Sequence, residues 1–82
     1  MDELKETVDL MLSDDYRERF KAEYYQTKIR YEKLHKMIIK AEAGTLEFDL
    51  NSSLDVLTKQ ASFMGGYLHM LEIRAESERI DL

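Results

Sequence analysis

The chain has 82 residues, of which 44% are hydrophobic and 35% charged, with a net charge of -5; this balance fits neither a disordered segment nor a membrane protein. It has no cysteine, no proline and three glycines, which excludes a disulfide scaffold, a cysteine-ligated zinc site and a cysteine nucleophile. The length allows one small domain with limited burial of its own, for which self-association is an expected source of more.

The first element in chain order is a short helix over about residues 2–12, where Leu4, Val8, Met11 and Leu12 form an apolar stripe at helical spacing. It is too short to persist alone and must dock on something. Ser13, Asp14 and Asp15 offer capping oxygens and negative charge to the start of a second helix, expected over about 15–43. Its seam is Phe20, Tyr24, Thr27, Tyr31, Leu34, Ile38 and Ala41, spaced 4-3-4-3-4-3, the alternation that holds one stripe against a partner helix. Gly44 suits the left-handed stop. At ~1.5 Å per residue this helix spans about 43 Å.

Residues 45–51 alternate apolar and polar. With no second strand to pair with, they read as an extended connector that turns Leu46, Phe48 and Leu50 back onto the helices. Asn51, Ser52 and Ser53 are candidate caps for a third helix over about 53–78, and Ser52 with Asp55 resembles a capping box. That helix carries Leu54, Leu57, Ala61, Met64, Leu68, Leu71 and Ala75 at 3-4 spacing. A second stripe of Val56, Phe63, Tyr67 and Met70 runs beside the first, making an apolar face wider than one partner helix covers. The fold class is therefore all-α: a short N-terminal helix and a long antiparallel helical hairpin, coiled-coil-like and homo-oligomeric, with a second subunit a more economical cover for the wide face than helix one. Gly65-Gly66 interrupts helix three at a cost of about 1 kcal/mol per glycine, which suggests a kink or the close approach of a helix or flat ligand.

Charge is segregated along the chain. Residues 1–18 balance to -5, residues 19–40 to +5 and residues 41–82 to -5. An acidic chain is a poor partner for duplex DNA, but the basic middle could hold a small anion. Lys21, Lys28, Arg30, Lys33 and Lys36 are its candidate ligands, although the same residues also suit the solvated back of a helix. Tyr24 and Tyr31 lie on the seam, whereas Tyr25 sits off it between Lys21 and Lys28, in a mixture of aromatics and cations that stacks bases and neutralises phosphates. Tyr67, beside the glycine pair, and Arg74 are further candidates.

No motif for catalysis is present: there is no G-x-S-x-G, Walker loop or G-x-G-x-x-G. Ser13, Ser52 and Ser53 read as caps, which leaves Ser62 and Ser77 without an evident base. Glu32 and His35 have the E-x-x-H spacing of di-iron bundles, but they flank the seam instead of facing into it. An enzyme, a metal site and a cofactor are not expected. No apolar run reaches the ~20 residues of a membrane span, and the opening Met-Asp-Glu-Leu-Lys-Glu is acidic where a signal peptide is basic, so a cytoplasmic location is expected.

The spacing Leu57-x-x-Gln60-x-x-x-Met64-x-x-Tyr67-x-x-x-Leu71-x-x-Arg74, together with Tyr31 to Ile38, resembles a family of small helical proteins from tailed phages and prophages of gut bacteria, crAss-like phages among them. The resemblance covers roughly residues 18–76 and leaves helix one outside. It implies a phage protein acting in the cytoplasm of an infected or lysogenic host. Small non-enzymatic phage proteins often counter bacterial defence, some as oligomeric sponges that sequester a nucleotide signal. The expected partners are thus a second copy and either a small nucleotide or a defence protein. If the target is a protein, the acidic ends would meet a basic surface, as an anti-CRISPR-like inhibitor or nucleic-acid mimic does. A helical accessory protein without a ligand is the third reading.

Overall fold

A computed structural model describes all residues, 1–82, and every regular element in it is helical. Helix α1 is a single turn, Val8–Met11, preceded by a 3-10 turn over Leu4–Thr7; α2 spans Tyr16–Ala43 and α3 spans Leu54–Glu78. The first element is less regular than its periodicity predicts. The Thr7 hydroxyl donates to the Leu4 carbonyl at 2.7 Å, a local bond that competes with α-helical continuation.

The caps explain where the long helices begin and end. Asp15 accepts from the Arg17 N–H at 2.9 Å, and Ser13 Oγ accepts from the Asp15 N–H at 3.0 Å. Ser53, rather than Ser52, caps α3 by accepting from the Val56 N–H. Gly44 ends α2 with φ 77°. Arg79 takes the same left-handed role after α3 with φ 58°, and the Ile80 N–H reaches back to the Ala75 carbonyl at 2.8 Å. This closure folds Ile80 into the core, as the apolar residue after such a stop commonly does.

Helices α2 and α3 pack along the expected seams, and α1 touches α2 but not α3. Contacts at Tyr16–Glu78, Tyr24–Glu72 and Tyr31–Gly65 rise in number along α2 and fall along α3. The molecule extends 43 × 24 × 16 Å. Phe20, Tyr24, Leu68, Leu71, Ala75 and Ile80 form the core at one end. Ile38 and Ala61 are also buried, whereas Tyr31, Leu34, Leu57 and Met64 are half-buried. Phe63 is outside the core, 78% exposed. Ala22 and Ile29 are buried on the side of α2 away from α3, beneath the N-terminal segment. Helix one therefore leaves the wide apolar face of α3 uncovered, because its docking residues are Ala22, Gln26 and Ile29 of α2.

Burial, then a hydrogen bond to Glu72 Oε2 at 2.7 Å, pushes the Tyr24 phenol up from 10.0 to about 12. The unfolded chain ionises first, so this contribution is complete below pH 10 and is lost as pH rises from there toward 12. Urea midpoints should fall across that window, and Tyr24→Phe should make the decline shallower. An unchanged decline in Tyr24→Phe would assign the alkaline sensitivity to other groups.

Candidate functional site

The basic run of α2 does not form one face. At ~100° per residue, Lys21 and Lys28 share one side of the helix, while Arg30, two residues after Lys28, points almost the opposite way. Lys28 lies over the Tyr24 ring at 5.8 Å. Tyr25 is half-buried, packed edge-to-face on Tyr24 at 5.2 Å. Arg74 is engaged elsewhere: it donates to the Tyr16 hydroxyl at 2.9 Å and to Glu78 Oε2 at 3.3 Å, and it lies 5.1 Å from the Phe20 ring centre. The Tyr16 hydroxyl donates to Glu78 Oε1 at 2.7 Å, and this bond, followed by the one from Arg74, holds the Glu78 carboxyl below its ordinary value. Arg17 donates to the Glu78 and Arg79 carbonyls. These groups clasp the ends of α2 and α3 together.

Lys33 and Lys36 are brought together with a cation the sequence reading left out of the site. With Lys40, Met37, Leu46 and Phe48 they line a concavity of about 300 Å³. None of the three lysines is paired with a carboxylate. The connector closes one side of it, with Leu46 half-buried against the helix and Phe48 61% exposed. Phe48 is thus not turned inward as the alternation suggests, and its ring stays available beside the ammonium groups.

A spacing present in the sequence could have located this site. Ala22, Gln26, Ile29, Lys33, Lys36 and Lys40 are separated 4-3-4-3-4, a second heptad stripe on the side of α2 away from α3. Its first half is apolar or amide and lies under the N-terminal segment; Gln26 Nε2 donates to the buried Thr7 hydroxyl at 2.9 Å. Its second half is lysine and stays open. Cations collected on one face beside an aromatic ring and an apolar floor can hold a phosphate and stack a base.

A second concavity, about 580 Å³, lies on the solvent side of α3 between Val56, Lys59, Gln60, Phe63, Met64 and Tyr67. It is a shallow apolar groove, and Tyr67 belongs to it instead of to the lysine site. A Cβ at Gly65 would make an ordinary van der Waals contact with the Tyr31 ring at 3.6 Å, whereas at Gly66 it would meet nothing within 4 Å. His35 stacks on Tyr31, one helical turn earlier, at 5.8 Å. No group of three or more His, Asp or Glu side chains is arranged to hold a metal ion, and no helix is long and apolar enough to cross a membrane.

No curated protein and no solved structure matches the chain. The Sequestin family model matches residues 14–77, a span that holds α2, all of α3 but its last residue, the lysine site and the α3 groove; the chain belongs to the Sequestin family.

Proposed function

We propose that this protein is a phage-encoded, non-enzymatic sponge: an antiparallel, coiled-coil-like hairpin that self-associates in the cytoplasm of the bacterial host and counters defence by sequestering a small anionic nucleotide signal. The observation that carries this reading is the unpaired Lys33, Lys36 and Lys40 triad beside Phe48. The family name, Sequestin, speaks of sequestration, which needs tight reversible binding and no bond-making group. The site volume lies at the lower end of the ~300–1,000 Å³ of small-molecule sites, which suits a phosphate with one stacked base.

Isothermal titration against a panel of cyclic and linear nucleotides, with inorganic phosphate as reference, tests this. One nucleotide should bind stoichiometrically, more tightly than phosphate, and weaken as salt screens the lysines. The double reversal Lys36→Glu/Lys40→Glu should cut affinity at least about 100-fold, on the scale of two charge-assisted contacts, with helical circular dichroism unchanged. Lys28→Glu, on another side of α2, should bind as wild type. Undiminished binding by the double reversal would remove the site from consideration.

A further inference from the structure

The solvent side of α3 carries a second heptad seam. Each member of the buried seam from Leu54 to Ala75 has a counterpart two residues on: Val56, Lys59, Phe63, Gly66, Met70, Ile73 and Ser77, spaced 3-4-3-4-3-4. Two residues turn a helix by ~200°, so the second seam faces away from α2. Its apolar members are exposed, Phe63 by 78%, Val56 by 56%, Met70 by 55% and Ile73 by 48%. The N-terminal segment packs only on α2, leaving nothing in the monomer to cover this seam.

Gly66 narrows the choice of occupant. Glycine is unfavourable inside a helix, and here no other part of the chain requires it, since a Cβ would meet nothing within 4 Å. A bare position in a heptad seam lets another helix come close or admits a bulky side chain.

We infer that α3 pairs through this seam with α3 of a second copy in a two-fold, antiparallel contact, with Phe63 of each copy seated over Gly66 of the other. The inference extends the self-association in the proposed function and is independent of the ligand. A second copy is the occupant because the surface is self-complementary: one seam supplies both the projecting ring and the gap it fills, as an isologous contact requires. In this register Val56 meets Ile73 and the stem of Lys59 lies on Met70. Lys59 is the seam's only charge, so the chain's net charge of -5 is not concentrated where the copies meet. With Tyr67 at its edge, the contact buries on the order of 1,000 Å² of apolar surface over both copies, the size at which a biological interface becomes stable.

Sedimentation equilibrium and native mass spectrometry of the full chain provide the test. Wild type should have twice the 9.7 kDa chain mass at micromolar concentration. Phe63→Glu should be monomeric with unchanged helix content, because Phe63 takes no part in the monomer's core. Gly66→Leu should raise the helicity of the monomer yet weaken the dimer about tenfold or more, opposite signs that a merely structural glycine would not give. Ile39→Glu, at an exposed position on α2, should remain dimeric. A monomeric wild type, a dimeric Phe63→Glu or an undiminished Gly66→Leu dimer would each overturn the inference. Lys36→Glu/Lys40→Glu should remain dimeric while losing nucleotide, so failure of the ligand reading and failure of this one are distinguishable.

Discussion

Leu71→Ala should destabilise the fold by about 3 kcal/mol, the middle of the range for a fully buried leucine that leaves a partly collapsed cavity. Leu71 is 1% exposed and lies in the cluster of Phe20, Tyr24, Leu68, Ala75 and Ile80, where α3 is pinned to α2 and the chain closes back after Arg79. A domain of this size has on the order of 4–12 kcal/mol in total, so one substitution removes a large share of it. Urea denaturation followed by circular dichroism should show a lower midpoint with little change in slope. Phe63→Ala, losing a larger side chain from an exposed position, should shift the unfolding of the monomer by less than about 0.5 kcal/mol. A loss below 1 kcal/mol for Leu71→Ala would mean that the cluster is not where the helices are held.

The contrast between Leu71 and Phe63 marks how far the sequence could be read. Heptad spacing identified the stripes that pack α2 on α3, and Gly44 marked a stop, because both signals are local. The partners of Arg74 are not legible for the opposite reason. Its hydroxyl partner, Tyr16, is 58 residues away, and nothing local distinguishes an arginine awaiting a phosphate from one clasping two helix ends. Ala22 was overlooked because alanine gives little hydrophobic signal, and Ile80 because it lies beyond the last helical turn. The density of the basic segment does not mark a shared face: Lys21 and Lys28 lie on one side of α2 and Arg30 on nearly the opposite side, while the 3-4 spacing of Lys33, Lys36 and Lys40 keeps those three together. Phe48 was recognised as apolar, but alternation in a connector does not say which helix it will lie on.

Ile29→Asp should release the N-terminal segment and leave the helix pair intact. Ile29 is 4% exposed beneath that segment, and an unpaired carboxylate buried there costs several kcal/mol. The segment cannot offset so much. It is a 3-10 turn and one α-turn, Val8, Met11 and Leu12 remain largely exposed, and its polar anchor is Thr7, bonded to Leu4 and Gln26. Undocking exposes the new carboxylate to water at the cost of that small contact, which is cheaper than unfolding α2 from α3. Hydrogen exchange should show loss of protection at the Glu6 and Leu12 amides, whose acceptors are Glu3 and Val8, with protection retained around Leu71. If protection around Leu71 falls as well, the two layers form one cooperative unit. The covered and open halves of the second α2 stripe give the substitution a functional consequence. Ile29 ends the covered half and Lys33 begins the open half, so a chain that sheds its first twelve residues keeps Lys33, Lys36, Lys40 and Phe48 in place. Nucleotide affinity should therefore survive in Ile29→Asp within about threefold, a difference of less than 1 kcal/mol. A loss as large as that of the lysine reversals would show that the N-terminal segment forms one wall of the site.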